Sequence, residues 1–323
     1  MRDIAHQLLE WHCGGVEYAL ATVIGTSGSA PRPPGAAMAV SADGRVAGSV
    51  SGGCVEAAVH QLCLEALDSG RAVRQRFGYS DDDAFAVGLT CGGEVEIFVH
   101  PAPGAALEPA LSALTRGEPV TVVRSLGSAV RTTVIPGEPM SETGLRTAEF
   151  MECYSSPPRL LIFGAIDYAA ALAAMGRFLG YRVTVCDARP VFTTADRFPE
   201  AHEVVVDWPD RYLRSLTVDA RTVVCVLTHD AKFDLPLLEV ALRLPVGYVG
   251  AMGSRRTHAE RLRLLRESGL TDRELARLRS PIGLDLGGRT PAETAVSIAA
   301  EIIAEVRGGT AAPLVLTGGA IHR

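Results

Sequence analysis

The chain has 323 residues, enough for two domains that each bury their own core. Hydrophobic residues make up 47% and charged residues 21%, an ordinary balance for a globular protein. The formal net charge is −6, from 31 basic and 37 acidic residues, so no basic excess exists to displace counterions and a nucleic-acid partner is excluded as an expectation.

Seven cysteines form no C-x-x-C pair, which argues against a cysteine-pair zinc site. A disulfide framework does not suit a chain with this much core. Arg2, Asp3, His6 and Glu10 interrupt the apolar stretch that a signal peptide needs, and no apolar run reaches membrane-spanning length. The expected location is the cytoplasm, with no membrane insertion.

In chain order, the pattern predicts an amphipathic helix from Asp3 to about His12 and a strand from Tyr18 to Ile24. Gly25 to Gly35 is too rich in glycine and proline for helix or central strand. It reads either as a plain turn or as a shaped loop whose prolines hold the Arg32 guanidinium in place. Strands follow at Ala37–Val40 and Val46–Val50, joined by the Asp43-Gly44 hairpin signal.

Ser51-Gly52-Gly53-Cys54-Val55-Glu56 then turns that strand into a helix from Val55 to Leu67. The first N–H groups of a helix lack intrahelical partners and the helix dipole is positive there. Glycines let a ligand approach the backbone. The position suits an anion such as phosphate, or a thiolate. Thr90-Cys91-Gly92-Gly93 is a related turn, just before the strand Glu94–Val99. A free cysteine is usually a small buried hydrophobe, and that reading holds for Cys63, Cys186 and Cys225 inside apolar runs. Cys13 and Cys153 have no readable context. Asp81-Asp82-Asp83 reads as a solvated acidic loop.

Pro101 to Pro119 holds an Ala/Leu-rich helix, and Val120–Arg124 and Arg131–Ile135 are short strands. Pro136 to Pro158 has no sustained period and reads as the boundary, dividing the chain into residues 1–150 and 157–323. Beyond it, strands at Arg159–Phe163, Arg182–Cys186, Glu203–Val206, Thr222–Leu227 and Val246–Val249 alternate with helices. This predicts a doubly wound parallel α/β sheet after an α+β first half.

Ligands in such sheets bind at the carboxyl ends of the strands. The first end carries Gly164-Ala165-Ile166-Asp167, with Asp187 near the spacing of a ribose-binding acid. The dinucleotide fingerprint is altered. Ile166 replaces the glycine that admits a pyrophosphate, Ala169 takes the third place, and Asp167 would repel the anion. A divergent domain that holds another ligand, or none, fits as well as NAD(P) binding. Gly250 to Arg256, with Gly253 and Ser254, is either a second anion cradle or a helix start on a solvated face. His229 and Asp230 are either an acid–base pair or a turn with a capping aspartate. Thr290-Pro291-Ala292-Glu293 is a capping box with proline at the first helical position. Pro281 to Arg289 is loop-like, with no chemistry legible from spacing.

Several of these segments resemble the XdhC/CoxI family, accessory proteins of xanthine dehydrogenase and related molybdenum hydroxylases. They are Gly28-Ser29-Ala30-Pro31-Arg32, Gly48 to Glu56, Cys91-Gly92-Gly93, Thr228-His229-Asp230, Gly250 to Arg256 and Pro281 to Ala300. The resemblance implies a family-specific N-terminal domain and a C-terminal Rossmann-like domain. It implies a cofactor chaperone that binds the molybdenum cofactor and helps insert it into an apo-hydroxylase, often as a homodimer and with a sulfurating cysteine desulfurase as a further partner. The sequence departs from the family at Ile166 and Asp167, where Gly-His is common. On this reading Cys54 and Cys91 meet molybdenum or a transferable sulfur. Gly52 and Gly53 supply backbone donors, Ser51, Gly92 and Gly93 line the turns, and Arg32 is a candidate phosphate partner. Gly164, Asp187, His229, Gly253 and Ser254 are the candidate cofactor-binding residues of the second half. The alternative is an NAD(P)-dependent oxidoreductase built on the Rossmann-like domain.

Overall fold

The computed structural model describes residues 1–28, 30, 32–78, 93–102 and 104–318. The chain divides into two compact units, Met1–Ser156 and Pro157–Thr317.

The first unit is α+β. Its elements begin with α1 (Ala5–Cys13), β1 (Tyr18–Ser27), β2 (Ala37–Ser41), β3 (Val46–Gly48), α2 (Glu56–Ser69), β4 (Val73–Phe77) and β5 (Glu94–Pro101). The strands form an antiparallel sheet of order β3-β2-β1-β5-β4. β1 shows why this sheet is buried on both faces. Side chains alternate sides along a strand. Tyr18 and Leu20 enter one core with Leu8 and Trp11 of α1. Ala19, Ala21 and Val23 enter the other with Val59, Cys63 and Ala66 of α2. The small residues of β1 therefore face α2, which carries the Gly-Gly-Cys turn at its start.

α3 (Glu108–Thr115), β6 (Val120–Ser125), β7 (Thr132–Pro136), β8 (Gly144–Arg146) and β9 (Glu149–Tyr154) complete the unit. The second sheet has the order β7-β6-β9-β8. The aperiodic stretch read as a boundary thus contains β8 and β9, and β9 pairs with β6 from Ser125↔Glu149 to Val120↔Tyr154. β8 has only three residues, and β9 buries Phe150 together with the charged Glu152, so neither shows the apolar alternation that marks a half-buried strand. β4 was not predicted for the same reason: its central Arg-Gln-Arg is exposed.

Inside the unit lies a charge pair with little access to water. Arg124 is 1% and Glu152 0% exposed, and the two are ion-paired. Tyr154 donates its hydroxyl to Glu152 Oε1 at 2.6 Å. Burial pushes the Arg124 guanidinium down to about 10.

The second unit is α/β. It runs through β10 (Arg159–Phe163), α4 (Asp167–Phe178), β11 (Arg182–Asp187), β12 (Glu203–Val206), α5 (Pro209–Ser215), β13 (Val223–Val226), α6 (Ala231–Ala241) and β14 (Tyr248–Ala251). It closes with α7 (Arg255–Glu267), α8 (Asp272–Leu275), β15 (Leu278–Arg279) and α9 (Pro291–Arg307). The sheet order is β12-β11-β10-β13-β14-β15, and every neighbouring pair is parallel. Counted from the unit's first strand this is 3-2-1-4-5-6, the order of doubly wound dinucleotide-binding folds. Apolar strands such as Val223–Val226 bury both faces, one core lying with α6 and the other with α4 and α9. The expected capping box at Thr290 and Glu293 opens α9.

The Pro281–Arg289 loop has a structural task. Ile282 packs against Gly250, where a Cβ would lie 2.5 Å from its Cδ1. Gly283 donates its N–H to Glu301 at 2.8 Å, and Ser297 donates to the Leu284 carbonyl. The loop thereby ties β14 to α9.

Removing Glu152 leaves a buried, unpaired guanidinium, so Glu152→Ala is expected to cost about 3–5 kcal/mol. Urea unfolding read from Trp11 fluorescence in a Trp208→Phe background measures this.

Candidate functional site

The turn before α2 is organised by one carboxylate. Glu56 is the first residue of α2, and its side chain folds back over the preceding loop. Oε1 accepts from Ser49 Oγ at 2.7 Å and from the N–H groups of Val50 at 3.3 Å, Ser51 at 2.8 Å and Gly52 at 2.9 Å. Oε2 accepts from Ser51 Oγ at 2.5 Å, Gly53 N–H at 2.8 Å and Val55 N–H at 3.2 Å. The Cys54 and Val55 N–H groups donate to Ser51 Oγ at 3.0 and 3.1 Å. Every N–H from Val50 to Val55 thus has a protein acceptor.

The anion cradle expected here exists, and the chain fills it with its own anion. The Gly52 and Gly53 N–H groups, expected as backbone donors to a ligand, donate to Glu56 in this structure. Partial burial pushes the Glu56 carboxyl up, but the Ser51 and Ser49 hydroxyls and the Ser51 and Gly53 N–H groups outweigh it and bring it down to about 2. Gly52 and Gly53 take φ of +84° and +126°, values L side chains rarely adopt. A Cβ on either would meet nothing within 4 Å. The glycines are therefore required by the curl of the loop, and the space beside them is open. Cys54 lies half-buried against the core around Val55 and Val59.

Other candidates of the first unit fall elsewhere. Gly93 is buried just before β5, and Cys91 and Gly92 lie outside the described residues, as does the Asp81–Asp83 run. Arg32 pairs with Asp3 at 2.9 Å on the surface. Cys63, Cys186 and Cys225 are buried, as their apolar contexts predict, and burial raises each thiol. Among the described residues, no group of three or more His, Cys, Asp or Glu side chains could hold a metal ion.

In the second unit, Gly164, Asp187 and Thr228 meet at the carboxyl edge of the sheet. Gly164 has φ +119°, and a Cβ there would lie 2.9 Å from the Thr228 nitrogen. The loops after β10 and β13 therefore abut where a doubly wound fold usually opens a crevice. Asp187 is 1% exposed and accepts from Ala165 N–H at 2.8 Å and Arg189 N–H at 2.9 Å. The Arg189 guanidinium adds bonds of 2.9 and 2.7 Å. Burial raises the Asp187 carboxyl, but Arg189 and Ala165 outweigh it and hold it below the usual carboxylate range. The acid read as a ribose ligand is thus engaged by its own loop and by the loop after β10.

Asp230 caps α6 by accepting from Lys232 N–H at 3.1 Å, while His229 is exposed, so the turn reading holds there. Ser254 caps α7 through Thr257 N–H at 3.1 Å, and Arg255 and Arg256 are exposed. Beneath them lies a cluster that the sequence did not reveal. Arg261 donates to Asp234 Oδ2, the Met252 carbonyl and Ser280 Oγ, each at 3.0 Å. Thr228 donates to the other Asp234 oxygen. Arg261 sits in a helix with five arginines that otherwise reads as solvated, so no local signal sets it apart. Glu56 was missed for a different reason. A capping box spaces its partners three residues apart, and Ser51 and Glu56 are five apart.

The architecture defines a two-unit protein in which a Rossmann-order α/β domain follows an α+β domain bearing a hydrogen-bonded cysteine loop. The XdhC Rossmann domain model matches residues 160–302, and the model of the XdhC and CoxI family matches residues 11–78. The chain belongs to the XdhC and CoxI family. It is 32% identical over 301 residues to the molybdenum cofactor insertion chaperone PaoD of Escherichia coli (strain K12), covering 93% of this chain and 87% of that one. It is 27% identical over 312 residues to a probable xanthine dehydrogenase subunit of Bacillus subtilis (strain 168), covering 89% and 92%. A crystal structure described as a xanthine dehydrogenase from Bacillus halodurans superposes with a TM-score of 0.74 at 27% identity, covering 94% and 96%.

Two outcomes are expected. The Glu56 carboxyl has a folded pKa of about 2 against an ordinary 4.5, so its stabilisation is present above 4.5 and lost as pH falls through 2. Discounted for solvent screening, it amounts to about 1–2 kcal/mol. Glu56→Gln should flatten stability by that amount between these pH values, measured by urea midpoints. NAD(P)H fluorescence should show no binding at millimolar cofactor, because Asp187 and the glycine loop satisfy one another; a saturating titration would refute this.

Proposed function

We propose that this protein takes up the molybdenum cofactor, holds it and assists its insertion into a molybdenum hydroxylase such as a xanthine dehydrogenase. Its task is carriage rather than turnover. The observation that carries the reading is the likeness to an insertion chaperone along 93% of the chain, running through both units.

The cofactor, here the cargo, is a phosphorylated pterin whose dithiolene holds a soft metal. A cargo with its own chelate needs no metal cage from the carrier. A thiolate is a suitable soft contact. Cys54 stands beside open space at Gly52 and Gly53, on a loop whose backbone is fixed. We assign Cys54, with Cys91, to the molybdenum or to its exchangeable sulfur. A cysteine desulfurase that sulfurates the cofactor is a natural second partner. The protein works in the cytoplasm as a homodimer, which sedimentation and pull-down from the native cell check.

Purified protein is expected to retain molybdenum and pterin after incubation with the cofactor and desalting. Cys54→Ala and Cys91→Ala should each weaken retention about tenfold, the factor carried by ~1.4 kcal/mol. Equal retention in both variants removes the thiolate assignment. Absence of retention in the unmutated protein removes the proposal.

A further inference from the structure

Glu56 has no role in the assignment above, although its carboxylate gathers the whole loop around Cys54. The bonds divide into two sets. Oε1 holds Ser49, Val50, Ser51 and Gly52, on the strand side of the thiol. Oε2 holds the Ser51 hydroxyl, Gly53 and Val55, on either side of Cys54. The Cys54 N–H is reached indirectly: it donates to Ser51 Oγ, whose own proton goes to Glu56. The residues before and after Cys54 are thus bound to one oxygen atom.

The same bonds decide which end of a cargo the loop can meet. A phosphate needs donors, and the donors here already serve a carboxylate through charge-assisted bonds. A contact through sulfur draws on none of these N–H donors. We propose that Glu56 is the positioning residue of this site: it fixes the backbone that carries Cys54 and closes the loop's N–H donors to phosphate, so that the cargo meets the loop by its metal-and-sulfur end. The proposal rests on the assignment of Cys54 as the cargo contact.

The test uses the full chain and iodoacetamide, with alkylation resolved peptide by peptide. Exposed Cys13 on α1 is the internal reference. In the unmutated protein, inorganic phosphate should leave the Cys54 rate unchanged. In Glu56→Ala the loop around half-buried Cys54 is released, and the Cys54 rate relative to Cys13 should rise about tenfold, the factor one charge-assisted hydrogen bond carries. Added formate or phosphate should refill the cradle and bring the rate back. Molybdenum retention should fall in the variant and recover with formate. Glu56→Gln, which keeps the side-chain volume, replaces Glu56→Ala if the latter does not fold. An unchanged Cys54 rate in these variants, or protection of Cys54 by phosphate in the unmutated protein, overturns the proposal. Failure of the unmutated protein to retain molybdenum would sink the insertion reading instead, while the alkylation arm still decides the role of Glu56.

Discussion

The Glu56 carboxylate is the constraint on which the loop before α2 depends. A loop that curls through two left-handed glycines turns several N–H groups inward at once, and each needs an acceptor. Water could serve at an exposed turn but would not fix its shape. A single ionised carboxylate supplies many lone pairs, and its charge suits the positive end of α2. The result is a rigid turn made from residues that are individually among the most flexible in the chain. Rigidity has a chemical purpose at a thiol. A contact held in place need not be ordered when the ligand arrives, so more of the interaction appears as affinity.

The second unit solves the same problem in the same way. Asp187 reaches from the end of β11 to the Ala165 N–H and is held there by Arg189. In a dinucleotide-binding domain the glycine loop leaves its donors to the pyrophosphate and the acid to the ribose. Here the two satisfy each other, and Gly164 is retained because the loop after β13 approaches it closely. The glycine therefore meets a packing requirement of the fold. Nearby, burial pushes the Asp234 carboxyl up while the Thr228 hydroxyl and Arg261 pull it back. That pair fastens α6 to α7 and to the Met252 carbonyl beneath the same edge. The carboxyl edge of this sheet is thus largely spoken for by its own side chains.

Which parts were legible follows from where the information sits. The parallel strands of the second unit are short apolar runs at regular spacing, so Glu203–Val206 and its neighbours stand out locally. The capping box at Thr290 is legible because both partners lie within one helical turn. β15 has two residues and owes its existence to β14, while β8 and β9 owe theirs to β6, so nothing in their own composition announces them. The site divides in the same manner. The Gly-Gly-Cys turn reads as an anion site because its glycines and helix start are visible in sequence. Its occupant was not legible, since Glu56 lies in the helix pattern and reaches backward only once the turn has curled. Arg261 and Glu152 illustrate the general limit: a buried charge looks like a solvated one until its partner is placed beside it.

A carrier must bind its cargo and also release it, and the loop chemistry bears on that balance. A phosphate held by several backbone donors at a helix start would be difficult to surrender. On the assignment proposed for Cys54, a single thiol contact would be weaker and more readily exchanged for a ligand of the receiving enzyme. Filling the cradle from within the chain removes the stronger mode and keeps the exchangeable one. The same logic accounts for a glycine loop in the second unit that has kept its shape while its donors face inward. On this view the internal carboxylates do more than stabilise two turns. They occupy N–H donors that each loop would otherwise offer an anion.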